Sequence, residues 1–215
     1  MQEEMYKGYT IKIRQDEMPP NPRKDWDNLG TMVCFHKRYI LGDEGHGLNS
    51  DNFNSWDDVY DYIKKELDGY IILPLRLYDH SGITMSTSTS YPYNDQWDSM
   101  WVGFIYITAK KIREEYNVKR ISKKLKERVT GYLVGEVETY DQYLIGDVWG
   151  YEILDPEGNE LDDSCWGFFG DKYCLEEAQG IVDWHIKDRL KKRLEKVKQW
   201  IKNRVPLHHR RLATL

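Results

Sequence analysis

The sequence has little cysteine and proline and no long apolar run. Three cysteines among 215 residues are an odd number without regular spacing, which excludes a disulfide framework and predicts free thiols in a reducing compartment. The longest apolar runs, YIILPL and WVGFIYI, are much shorter than the roughly 20 residues of a membrane helix. The first residues, MQEEMYKGYT, lack the apolar region of a signal peptide. We therefore expect a protein of the cytoplasm, without membrane contact.

Several motifs with known chemistry are also missing. Neither GxxxxGK[ST] nor GxGxxG occurs, so the glycine-rich loops that cradle nucleotide phosphates are excluded. The sequence contains no CxxC pair and no HExxH motif, which are the specific spacings of many zinc sites. These absences favour a protein without a cofactor, with a divalent metal as the alternative.

The residues that are abundant are aromatic and charged. The chain contains 16 tyrosines and 8 tryptophans, residue types that serve both protein cores and protein interfaces. Its net charge of −5 hides an asymmetry. Residues 186–211 carry eleven basic and two acidic side chains, whereas the remainder carries 20 basic and 34 acidic ones. An acidic body with a basic carboxyl-terminal arm indicates a charged partner, or docking of one part on the other.

The hydrophobic pattern predicts an α+β fold. Strand-like and helix-like segments are mixed without a βαβ rhythm, which favours a mainly antiparallel sheet packed with amphipathic helices. A helix of about thirty residues is expected near the carboxyl end, where apolar residues recur at helical spacing. We expect residues 1–185 to form an acidic globular domain and residues 186–215 to form a basic helical arm and tail that belongs to the same domain.

Three local predictions bear on function. Residues 31–41, TMVCFHKRYIL, are β-branched and aromatic and predict a strand on which Cys34 and His36 share one face. Ser55 predicts the N-cap of a helix that begins the segment SWDDVYDYIKKELDG. A hairpin is predicted to turn at residues 79–82, DHSG, where Asp and Gly are favoured turn residues.

Four separated blocks carry a resemblance to a known family. The blocks are WDNLGTMVCFHKRYILGD, VGFIYITAKKIREEY, EVETYDQYLIGDVWGYEI and DDSCWGFFG. In this order they resemble a family of uncharacterised proteins encoded by bacteriophages and other mobile elements. The resemblance covers most of residues 20–180, and it implies a phage accessory role in the cytoplasm of a host cell. It implies no catalytic residues.

Candidate chemical groups concentrate in residues 27–47. Cys34, His36, Asp43 and His46 are possible metal ligands by type. A thiolate–imidazole pair is a second hypothesis, with Cys34 or Cys165 as the nucleophile. The pair Asp79–His80, at the predicted hairpin end, is the sharpest carboxylate candidate for a metal-dependent hydrolase. The alternative for each is ordinary structure: a buried cysteine, a hydrogen-bonded histidine and an aspartate in a turn.

Candidate binding groups lie elsewhere. Acidic segments with tryptophan predict a partner surface that consists of Asp51, Trp56, Asp57, Asp58, Asp162, Asp163 and Trp166. The basic arm offers Lys187, Arg189, Lys191, Lys192, Arg193, Lys196 and Lys198. Three interpretations of this arm remain open: docking on the acidic body, pairing with another protein or a second copy, and contact with nucleic-acid phosphates.

We expect a phage accessory protein that acts by binding a host or phage macromolecule, with a protein favoured as the partner and binding favoured over catalysis. An inhibitor of a host defence system, such as a CRISPR effector, is one concrete form of this hypothesis. The alternatives are a metal-dependent hydrolase or nuclease and a nucleic-acid-binding module that uses the basic arm.

Overall fold

The fold is α+β, as predicted, with two antiparallel sheets and a long last helix. The computed structural model describes residues 2–79, 82–87, 99–161, 163–204, 206 and 209. The strands are β1 Gln2–Tyr6, β2 Tyr9–Gln15, β3 Thr31–Cys34, β4 Gly69–Asp79, β5 Ile83–Ser86, β6 Ser99–Thr108, β7 Val148–Leu154 and β8 Cys165–Phe169. The helices are α1 Trp56–Lys65, α2 Ala109–Glu115, α3 Lys123–Leu144 and α4 Asp171–Arg204, with a 3-10 turn at Ser50–Asn52. Among the described residues, no helix combines the length and apolarity needed to cross a bilayer.

The chain divides into two compact units. The terminal unit consists of Met1–Asp16 and Trp149–Leu215, and the central unit consists of Glu17–Val148. Both ends of the chain therefore belong to the same unit, and α4 shares that unit with the amino-terminal strands.

The terminal unit is built on a sheet of order β1-β2-β7-β8. Lys7 and Gly8 adopt φ of 48° and 87° and turn the chain between β1 and β2, which pair as a hairpin. Positive φ at both central residues is typical of two-residue hairpin turns. Helix α4 contributes Cys174, Ala178 and Val182 to the hydrophobic core of this unit. Only the first part of α4 thus has buried side chains.

The central unit has a sheet of order β3-β6-β4-β5. Ile105 of β6 packs in a cluster with the buried face of α3, whose members are Val129, Leu133, Val137 and Tyr140. Its neighbour Phe104 packs instead with Val59 and Ile63 of α1. Because successive strand residues point to opposite faces of a sheet, α1 and α3 cover opposite faces. The predicted hairpin is confirmed, since β4 pairs with β5 from Arg76–Ser86 to Asp79–Ile83.

Candidate functional site

The segment of residues 27–47, which we call the signature segment, folds as a short strand and a return loop. Strand β3 ends at Cys34. Beyond it, the imidazole Nδ1 of His36 accepts the backbone N–H groups of Arg38 and Tyr39, each at 3.2 Å, and so holds a turn. The predicted strand over 31–41 is therefore wrong in its second half, and Cys34 and His36 do not share a strand face.

The return loop closes on its own beginning. The backbone N–H of Asp43 donates to the carbonyl oxygen of Met32 at 2.9 Å, and Val33 bridges to Gly42. Gly42 has a φ of +73°, and a Cβ there would lie 2.7 Å from the Met32 carbonyl oxygen. A larger residue is therefore disfavoured by both conformation and space.

A buried ion network holds this loop to α3. The Arg23 side chain is 0% exposed. Its Nε and Nη2 donate to the two carboxylate oxygens of Asp43 at 2.7 and 2.8 Å, while Nη1 donates to Glu136 at 2.9 Å. Nη2 also donates to the Gly30 carbonyl oxygen at 2.9 Å. Burial alone would lower the pKa of Arg23, but the bonds to Asp43 and Glu136 outweigh it and raise the pKa.

The two carboxylates of this network also accept backbone hydrogen bonds. Glu136 accepts the N–H of Leu29 at 2.6 Å, and Asp43 accepts the N–H of Met32 at 2.8 Å. A buried charge is tolerated only when it is paired and its remaining hydrogen-bonding capacity is used. We therefore assign Asp43, a predicted metal ligand, a structural role in this network.

Cys34 lies in the core beside the network. Burial, assisted by the charge of Asp43, raises the pKa of the Cys34 thiol to about 12. The thiol is therefore protonated near neutral pH, and a thiolate is the form that attacks or binds metal. This environment resembles that of a core cysteine and gives no support to a nucleophilic role.

His36 and His46 line an open cleft of about 780 Å³ together with Cys34 and Glu44. The Nδ1 of His46 accepts the backbone N–H of Leu48 at 3.1 Å. Burial lowers the pKa of His46, against the opposing charge of Asp43. Within the described part of the chain, no group of three or more His, Cys, Asp or Glu side chains is arranged to hold a metal ion.

The predicted Asp79–His80 pair is only partly placed. Asp79 is the last residue of β4, and its carboxylate pairs with the guanidinium of Arg38 from the return loop. His80 lies outside the described residues. Asp79 thus connects the end of the β4–β5 hairpin to the signature segment through an ion pair. This is a structural role, and it differs from the metal binding that was considered for Asp79.

A series of aromatic rings lies beside the signature segment. The Phe35 ring stacks on Phe53 and on Trp56, with centroid separations of 6.2 and 6.0 Å, and Trp56 stacks on Trp101 at 6.5 Å. A second cleft of about 260 Å³ is lined by the residues Phe35, Ser50, Phe53, Asn54, Ser55, Trp56 and Val59. The predicted N-cap is confirmed, because Ser55 accepts the N–H of Asp58 at 3.2 Å.

Three exposed carboxylates are sequence neighbours of residues that line this aromatic cleft. Asp51 lies in the 3-10 turn, and Asp57 and Asp58 lie in the first turn of α1. All three are exposed, and the first turn of a helix favours negative charge. We call Asp51, Phe53, Trp56, Asp57 and Asp58, together with Phe35, the acidic aromatic surface.

The other predicted partner residues belong to the terminal unit and make contacts there. Asp163 pairs with His185 of α4. The Trp166 ring covers Gly150, where a Cβ would lie 2.1 Å from the ring, and the Arg14 guanidinium lies 5.5 Å from the Trp166 ring centroid. Asp162 lies outside the described residues. These contacts give Asp163 and Trp166 a role in the packing of β7, β8 and α4.

The described residues of the basic arm extend along α4 as exposed helix. Tyr9 and His185 line an open cleft of about 480 Å³ with four basic side chains of the arm and one acid, Arg189, Lys192, Arg193, Lys196 and Asp188. Lys192 pairs with Asp188 one turn before it, at 2.7 Å. The arm therefore presents its charge to solvent over most of its length.

Sequence reasoning missed Arg23 and Glu136, which organise the signature segment. Glu136 carried a signal, because it lies three residues after the buried Leu133 and one before the buried Val137. A carboxylate at that spacing faces the core and requires a buried cation. The sequence carried no such signal for Arg23, since this residue lies in an irregular, proline-rich loop that has no hydrophobic periodicity.

Comparison of the chain with protein-family models, with curated proteins and with solved structures finds no match. The family resemblance of the four sequence blocks therefore stays a prediction, and a functional proposal depends on the geometry of the two units.

Proposed function

We propose that this chain is a phage accessory protein that acts by binding a basic site on another protein, and that it does so through the acidic aromatic surface. The observation that carries this proposal is the presence of three exposed carboxylates, Asp51, Asp57 and Asp58, next to a cleft walled by Phe35, Phe53 and Trp56. Inhibition of a host defence protein that binds nucleic acid is the specific form that we favour.

Physical chemistry supports a basic partner for this surface. Carboxylates repel phosphates, so the surface is unsuited to nucleic acid itself. A protein groove that binds nucleic acid presents lysine and arginine for phosphates and aromatic or planar groups for bases. Carboxylates beside half-buried aromatic rings complement such a groove, since charge complementarity steers association and aromatic side chains dominate interface energies.

The test uses isosteric removal of charge. The variant carries Asp51→Asn, Asp57→Asn and Asp58→Asn, which keep the side-chain shape and one acceptor oxygen at each position. Proteins retained from bacterial lysate by the unaltered chain and by the variant are quantified by mass spectrometry. We expect nucleic-acid-binding proteins to be retained by the unaltered chain, to be released by salt and by added nucleic acid, and to be retained at least tenfold less by the variant.

A matched control removes the same charge from other helices of the central unit. Its substitutions, Glu114→Gln, Glu127→Gln and Glu138→Gln, change exposed residues of α2 and α3, and they should leave the retained proteins unchanged. If both variants retained equally less protein, the effect would depend only on net charge, and this result would contradict the proposal. Retention that persists in the Asp variant, or that is insensitive to salt, would contradict it as well.

A further inference from the structure

The distal half of α4, residues 187–204, has an apolar stripe that packs against nothing in the described chain. Leu190, Leu194 and Val197 are 55%, 59% and 46% exposed, and the half-buried Ile201 continues the series at helical spacing. The residues that α4 buries in the terminal unit are Cys174, Ala178 and Val182. At about 100° per residue, the exposed stripe lies about 130° around the helix axis from the buried one. It is therefore a separate surface and not an extension of the core face.

Basic side chains border this stripe on both sides. At the same angular spacing, one flank carries Arg189, Arg193, Lys196 and Arg204 with the exposed Trp200 among them, and the other flank carries Lys187, Lys191, Lys198 and Lys202. The two acids of the segment, Asp188 and Glu195, lie on the side away from the stripe. Eight of the nine basic residues of this half, which has two acids, thus concentrate positive charge along both edges of an apolar seam.

The flanking charge excludes a second copy of the same helix as the occupant. In a two-helix pairing, the residues that border one seam face the residues that border the other. Because both flanks of α4 are basic, a parallel or an antiparallel pair would place lysine and arginine against lysine and arginine. Like charges in such positions are destabilising, and the flanks instead complement aspartate and glutamate.

The apolar stripe distinguishes a protein partner from two other anionic partners. A phosphate backbone has no apolar surface that would cover Leu190, Leu194 and Val197. A helix that lies in a lipid surface has a broad apolar face, whereas a narrow seam is typical of helix–helix pairing. The distal half spans about 27 Å at 1.5 Å per residue, which is long enough for about five turns of a partner helix.

We propose that the distal half of α4 docks an acidic amphipathic helix of a partner protein, with leucine or isoleucine in the seam and glutamate or aspartate on both flanks. The partner would cover the stripe and pair with the basic flanks. Docking would also stabilise a helical segment that has no fully buried side chain among the described residues, since isolated helices of this length are marginal in water. This proposal concerns the terminal unit and is independent of the acidic aromatic surface.

The test uses a fluorescent synthetic peptide of 21 residues with leucine and isoleucine in the seam and glutamate on both flanks. Fluorescence anisotropy measures its binding to the full chain. We expect it to bind at least tenfold more tightly than a peptide with lysine flanks and than a peptide with serine in the seam. Stronger binding of a 21-base-pair DNA duplex, or of vesicles of anionic phospholipid, would overturn the proposal in favour of a phosphate or a lipid partner. A stable dimer of the chain alone in sedimentation equilibrium would overturn it as well.

Matched variants locate the binding. The variant Leu190→Ser, Leu194→Ser, Val197→Ser removes only exposed side chains, and we expect it to weaken peptide binding at least tenfold. The control Lys192→Ser, Glu195→Ser changes two exposed residues away from the stripe without changing net charge, and we expect binding within twofold of the unaltered chain. Circular dichroism establishes that both variants are folded. Equal binding by the stripe variant and the control would overturn the proposal.

Discussion

The signature segment and the distal half of α4 both depend on charged residues, but they use charge in opposite ways. In the network that holds the signature segment, the Arg23 side chain is completely buried and is bound by Asp43 and Glu136. In residues 187–204 of α4, every lysine and arginine is exposed. The comparison teaches that the buried charges determine local structure, whereas the exposed ones are available to a partner.

The largest effect is expected when one buried charge is removed. Arg23→Met leaves two carboxylates without their cation, and breaking a buried pair on one side costs about 3–5 kcal/mol. The same substitution at the exposed Arg193 should change the free energy of unfolding by less than about 0.5 kcal/mol. Urea unfolding, followed by circular dichroism, measures both values.

Hydrogen exchange locates the Arg23 effect. The N–H groups of Leu29 and Met32 donate to Glu136 and Asp43, so they should exchange faster in Arg23→Met and at an unchanged rate in Arg193→Met. A loss below 1 kcal/mol for Arg23→Met would mean that the network is not structural, and the contrast between the two regions would fail.

A second prediction compares the two halves of α4 with one residue type. Val182 is buried in the terminal unit, whereas Val197 is 46% exposed. Val182→Ala should reduce the free energy of unfolding by about 2 kcal/mol, since it removes two buried carbons and leaves a cavity. Val197→Ala should change it by less than about 0.5 kcal/mol, because alanine has the higher helix propensity and little packing is lost. Thermal unfolding of both variants measures the difference, and equal losses would show that the distal half contributes to the fold.

The sequence was sufficient for the elements that have strong periodicity or clear end signals. Helix α1 begins after Ser55, β4 and β5 pair as a hairpin and α3 buries a regular stripe, because caps, turn residues and apolar spacing are local properties. The sequence was not sufficient for the signature segment. Its strand ends early because the His36 imidazole holds a turn and Gly42 lets the chain return to Met32, and both contacts join residues whose partners no local pattern identifies.

The candidate site shows the same limit. Asp43 and His46 have the residue types of metal ligands, yet Asp43 is bound to an arginine 20 positions earlier in the chain. The structural role of Asp43 depends on its tertiary contact with Arg23. Arg23 is in turn bound to Glu136 of α3, which lies more than 90 residues after Asp43 in the sequence. The exposed stripe of α4, in contrast, was visible as spacing from the sequence, and only its exposure had to come from the structure.

The smallest effect concerns the thiol of the signature segment and its dependence on pH. Burial raises the Cys34 pKa from 9.0 to about 12, so the folded chain keeps its proton between these values while the unfolded chain releases it. The stabilisation is therefore complete below pH 9 and decreases as the pH rises towards 12. Between pH 9 and 10, this single thiol should lower the free energy of unfolding by about 1 kcal/mol. Urea unfolding at both pH values, for the unaltered chain and for Cys34→Ala, isolates its contribution.

Burial also raises the pKa of Cys174 and of Tyr151 to about 12, but both residues are present in every protein compared, so their contributions cancel. If Cys34→Ala and the unaltered chain lost the same stability between pH 9 and 10, the Cys34 thiol would be accessible to solvent. The cleft beside it would then again be a candidate for thiolate chemistry, and the signature segment would share the exposed character of α4.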